Sequence, residues 1–134
     1  MKEVQVIIEH AGENLSAYVE GVPVITTGNT IREIKDNILE AIGLYLDACR
    51  DENIKPAKAL EGEYRLSFAL DATTFINYYS NIFTKSALSR ITGINERQLW
   101  RYAAGKNIPR KRQLEKIQNG ILNLTEEFSG LRLV

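Results

Sequence analysis

Residues 85–109 read KSALSRITGINERQLWRYAAGKNIP, preceded by Thr84. Thr84 is a helix-capping residue, so a short helix is expected over Lys85–Ile91, stopped by Thr92-Gly93. Asn95 is a second capping residue, and Glu96–Ala104 (ERQLWRYAA) follows as the next helix, ended by Gly105. Two short helices around a glycine-containing turn, the second opening with polar and basic residues, meet the needs of a helix-turn-helix. Gly93 permits a tight turn, while Ile94 and Leu99 must point inward to lock the helices together. Glu96, Arg97, Gln98 and Arg101 are then free to face base edges, where Arg and Gln make bidentate contacts. The plainer alternative is a helical bundle with a basic surface.

The flanking sequence extends this pattern. Asp71–Phe83 (DATTFINYYSNIF) opens with capping residues and carries Phe75, Ile76, Tyr79 and Ile82 at helical spacing. Pro109 precedes a further helix that begins near Arg110 and carries Leu114, Ile117, Ile121 and Leu124. Arg110, Lys111 and Arg112 at that helix start oppose its macrodipole, so they serve phosphate binding better than helix stability. Between Lys85 and Lys116 nine basic residues stand against two acids. The segment Ile121–Val134 is more apolar than a free tail and is expected to pack on a neighbour.

The first seventy residues have the opposite charge. Twelve acids and seven bases precede Asp71, a net of −5; five acids and ten bases follow from Asp71 on, a net of +5. The zero net charge of the 134 residues is therefore a sum of two halves, a division that suggests one nucleic-acid-binding half beside something else. Strands are expected over Val4–Glu9, Leu15–Glu20, Val22–Thr27 and Glu63–Leu70, with Pro23 making the third strand start late or lie on an edge. Thr30 and Glu33 form a capping box for a helix running from Ile31 to about Arg50. Its apolar face is Ile31, Ile34, Ile38, Ile42, Tyr45 and Cys49. Glu33, Asp36, Glu40, Asp47 and Asp51 lie opposite, either as a solvated face or as a complement to a basic partner. The fold class expected is thus an α+β N-terminal domain (β-β-β-α-β, residues 1–70) followed by an all-α helix-turn-helix domain (residues 71–134).

Catalysis finds little support in these residues. His10 beside Glu9 has no nucleophile or metal-ligand company, and no glycine-rich phosphate loop is present. Few carboxylates fall on strands, Glu9 and Glu20 within the first two and Glu63 at the start of the fourth, which is too few for a carboxylate-metal nuclease site. Cys49 is the single cysteine, so neither an internal disulfide nor a cysteine-based zinc site is available. No cofactor or metal is expected. The opening MKEVQVIIEH is not a signal peptide, and a cytoplasmic protein without membrane association is expected.

Ala87-Leu88, Thr92-Gly93-Ile94-Asn95, Leu99, Gly105 and Pro109 together resemble the Cro/repressor-type helix-turn-helix. That resemblance implies major-groove reading by Asn95, Glu96, Arg97 and Arg101, a phosphate contact from Lys85, and binding as a dimer. Gln98, Lys106, Arg110, Lys111 and Arg112 complete the expected DNA-binding set. Ala17-Tyr18-Val19-Glu20, Val24, Thr27-Gly28-Asn29-Thr30 and the helix IREIKDNILEAIGLYLD resemble the HicB antitoxin domain. This implies a truncated, inactive RNase H-like fold that binds and neutralises HicA, a small basic RNA-cleaving toxin, while the C-terminal domain represses the operon. The expected partners are that toxin and operator DNA, with a homodimer or higher homo-oligomer as the binding form. The competing expectation is a transcriptional regulator whose N-terminal domain senses a ligand or only dimerises.

Overall fold

Val4, Val6 and Ile8 alternate with Glu3, Gln5 and Glu9 along β1 (Lys2–Ala11), and the alternation puts three branched side chains on one face. The computed structural model describes all 134 residues, and the chain divides into two compact units, Met1–Asp71 and Ala72–Val134. In the first unit β1 is followed by β2 (Asn14–Val19), β3 (Ile25–Gly28), α1 (Ile31–Asp51) and β4 (Tyr64–Leu70). The fold is α+β, a four-stranded mixed sheet with five helices in the whole chain. The strand order is β3-β2-β1-β4. β1–β2 and β2–β3 are antiparallel, and β1–β4 is parallel. A parallel return needs a long crossover, and α1 supplies it.

Ile34, Ile38, Ile42 and Cys49 of α1 are buried, as are Val4, Val6, Ile8, Leu15, Ala17 and Val19 of the sheet. Each large side chain so buried stabilises the unit by about 1.5–3 kcal/mol. The register Val4↔Leu66, Val6↔Phe68 and Ile8↔Leu70 sets the apolar side chains of β4 on this same face, where they stay half-buried. On the outer face the register aligns Ile25, Tyr18, Ile7 and Ala69 in one row, and Glu3 meets Arg65 at 2.6 Å.

β1 extends beyond the expected strand at both ends, because both neighbours continue its ladder. β3 starts only at Ile25, two residues after Pro23, and lies on the sheet edge. Val22 and Val24 are buried in the preceding turn instead, with the Val19 amide donating to the Val24 carbonyl at 3.1 Å. Between α1 and β4 a 3-10 turn, Lys58–Leu60, buries Leu60.

The second unit comprises α2 (Ala72–Tyr78), α3 (Lys85–Thr92), α4 (Glu96–Ala103) and α5 (Lys111–Ser129). Ala72, Ile76, Leu88, Ile94, Leu99, Tyr102 and Ile117 form its core, with Phe75, Phe83, Ile91 and Ala103 packed on it. α2 is shorter than the apolar spacing implies. The Phe83 and Ile82 amides both turn back to the Tyr79 carbonyl, at 2.8 and 3.0 Å, and Ile82 is left exposed. Aromatic residues, Ser and Asn in Tyr78–Asn81 are weak helix formers and do not oppose this break. Thr73 and Asn77, one turn apart on α2, donate to the carbonyls of Tyr102 and Ala103 at 2.7 and 2.8 Å. Asn77 thereby supplies a donor to a carbonyl at the end of α4, and Thr73 adds a second bond to the Tyr102 carbonyl, which the Gly105 amide also reaches at 3.1 Å. Phe75, Tyr79 and Phe83 face Ile121, Leu124 and Phe128 across an apolar groove of about 240 Å³. Burial and the adjacent Tyr78 raise the Tyr79 phenol above its ordinary range. α5 buries Ile117 and Gly120, while Leu114 is largely exposed and the segment after Ser129 lies open on the surface of the chain.

Candidate nucleic-acid interface

The turn between α3 and α4 is held by side chains. Gly93 adopts φ +76°, a left-handed conformation that only glycine enters freely, and its amide donates to the Ser89 carbonyl at 2.9 Å. The Ser89 hydroxyl donates to the Ile94 carbonyl at 2.6 Å, and the Ile94 amide donates to the Thr92 hydroxyl at 3.2 Å. Both backbone groups of Ile94 are thus satisfied while its side chain is buried beside Leu99. Thr84 accepts from the Ala87 amide at 3.0 Å, and Asn95 accepts from the Arg97 amide at 2.8 Å.

Inward-pointing Leu99 and Tyr102 decide which residues α4 displays. Arg97, Trp100 and Arg101 are exposed, and Glu96 is exposed in the first turn, where its charge suits the macrodipole. Arg97 and Arg101 are one turn apart on the outward face. The ion pairs of the chain, Arg50–Asp47, Lys55–Glu61 and Arg65–Glu3, all lie in the first unit. The two guanidiniums of α4 are therefore available for bidentate contacts.

Three expected site residues sit differently from a simple outward display. Asn95 uses its side-chain oxygen to accept from the Arg97 amide, which leaves its side-chain NH2 to face a ligand. Gln98 is half-buried and belongs to the flank of α4, lining an open groove of about 690 Å³ with Tyr102, Lys106, Arg110 and Gln113. Lys85 is half-buried, and its ammonium stands 4.3 Å from the Trp100 ring centroid. Arg110 is the N-cap of α5 without a side-chain capping bond, and Lys111 and Arg112 are exposed in the first turn after it. Trp100 is the residue that sequence reasoning missed. Its signal was an aromatic residue out of phase with Leu99 and Tyr102.

A second candidate surface lies on α1. Glu33, Asp36, Glu40, Asp47 and Asp51 are all exposed on its outward side. Two are engaged locally. Glu33 accepts from the Asn29 amide at 2.7 Å, completing the cap made by Thr30, and Asp47 pairs with Arg50 at 2.5 Å. Asp36, Glu40 and Asp51 carry the free charge. No group of three or more His, Cys, Asp and Glu side chains could hold a metal ion, and no helix is long and apolar enough to cross a membrane. Comparison with family models, curated proteins and solved structures finds no match.

Proposed function

We propose that the chain is a non-enzymatic DNA-binding antitoxin of the HicB type. In this reading the second unit is a helix-turn-helix that represses the operon as a dimer. The observation that carries the DNA half is α4 itself, a helix fixed by Asn95, Leu99 and Tyr102 that displays Arg97 and Arg101 unpaired. The start of α5 adds a concentrated positive charge beside the Lys106 and Arg110 groove, suited to phosphate. Base-facing roles fall to Arg97 and Arg101, and backbone contacts to Lys106, Arg110, Lys111 and Arg112.

The first unit is proposed to neutralise a small basic RNA-cleaving toxin by direct binding in the cytoplasm. Support comes from the HicB-like sequence pattern and from the free carboxylates Asp36, Glu40 and Asp51 on α1. Co-expression with the product of a neighbouring open reading frame tests this half. Retention of a small basic protein that cleaves RNA when freed supports the antitoxin. A chain that binds DNA but retains no such protein is instead a regulator whose first unit senses a ligand or only dimerises.

A further inference from the structure

Trp100 is the only tryptophan of the chain, and it is 58% exposed on α4 beside Arg97 and Arg101, one turn after Glu96. It takes no part in the core of its unit, to which α4 contributes Leu99, Tyr102 and Ala103. Arg97 lies three residues before it and Arg101 directly after it, both exposed. The Lys85 ammonium, 4.3 Å from the ring centroid, is within the distance at which the ring quadrupole attracts a cation. Lys85 opens α3, where a positive charge opposes the macrodipole, so its place is not explained by helix stability. It joins the first turn of α3 to the exposed face of α4 and restrains a large apolar ring there.

A large apolar group beside two arginines has a specific counterpart in the major groove. Guanine offers two acceptors to an arginine, whereas the thymine C5 methyl is the apolar group that distinguishes an A·T edge. Resting on the DNA-binding reading above, we propose that Trp100 is a specificity-determining residue that packs on a thymine methyl, with Lys85 as its positioning residue. The recognised half-site then contains a thymine adjacent to the guanines read by Arg97 and Arg101.

The probes are duplexes enriched by the protein from a random-sequence pool, labelled for anisotropy, and the same duplexes with each thymine replaced in turn by uracil. Uracil differs from thymine only by the missing methyl. Trp100 emission should shift when an enriched duplex binds, and one uracil position should weaken binding by about fourfold, the value of one buried methyl-sized group. Trp100→Ala should bind more weakly and lose that position's sensitivity to uracil, while Trp100→Phe keeps part of it. Lys85→Met should change Trp100 emission in the free protein and reduce the uracil effect, with the far-ultraviolet circular dichroism unchanged. Tight duplex binding with a flat uracil scan, an unmoved Trp100 emission in the complex, or an equal uracil effect in Trp100→Ala would overturn the assignment and leave the DNA-binding reading standing. If no duplex is enriched and anisotropy stays flat, the DNA-binding reading falls and the assignment falls with it.

Discussion

Gly120 lies in the middle of α5, where an added Cβ would sit 2.5 Å from the Ile91 carbonyl oxygen. A backbone atom cannot rotate aside, so Gly120→Ala forces α5 and α3 apart. Overpacking of this kind costs about 1–3 kcal/mol, against a helix-propensity gain of about 1 kcal/mol. The variant should be less stable, with its urea midpoint, read by Trp100 fluorescence, lowered. Gly43 in α1 is the contrasting case, since a Cβ there meets nothing within 4 Å. Gly43→Ala should stabilise by about 0.4–1 kcal/mol through the unfolded chain, read by far-ultraviolet circular dichroism. Both are helical glycines in the sequence, and only the approach of a second helix separates them. Asn95 can be resolved in the same way. Asn95→Ala should lose about 1 kcal/mol with the cap, whereas Asn95→Asp keeps the acceptor for the Arg97 amide. Asn95→Asp also sets a negative charge where phosphate is expected, so it should stay folded while binding an enriched duplex more weakly, read by anisotropy.

At the scale of the element, α4 is the part whose loss should be most specific. Arg97→Ala and Arg101→Ala should each weaken binding to an enriched duplex by about 1–3 kcal/mol and relax base preference at one position. Arg112→Ala should weaken all duplexes alike and reduce the salt slope by about one. A gel shift unchanged in the Arg97→Ala, Arg101→Ala double variant would remove α4 from the interface. The borders of α1, α3 and α4 were legible because their signals are local. Thr30, Thr84, Asn95 and Gly93 each satisfy or release backbone groups within a few residues of themselves. The end of α2 was not legible. Tyr79 and Ile82 continue the apolar period, yet the chain turns at Tyr79 and leaves Ile82 at the surface. Trp100 was likewise hidden, because its pairing with Lys85 joins residues fifteen positions apart on different helices.

For the whole molecule, the opposite charges of the two halves predict separable functions. Asp36→Lys with Glu40→Lys reverses free charge on α1 without touching its buried face. That double variant should lose retention of a basic partner in a pull-down while its affinity for an enriched duplex stays unchanged. Loss of both would tie the two activities to one surface. Charge division, strand alternation, the amphipathic period of α1 and the caps around α3 and α4 follow from the order of residues, because each expresses a preference of neighbouring groups. Pairing of β1 with β4 in parallel, the close seat of Gly120 on Ile91, the clamp of Thr73 and Asn77 on α4, and the ring of Trp100 under Lys85 required the folded chain. These contacts join residues distant along the chain, and their energies depend on distances that no local pattern encodes.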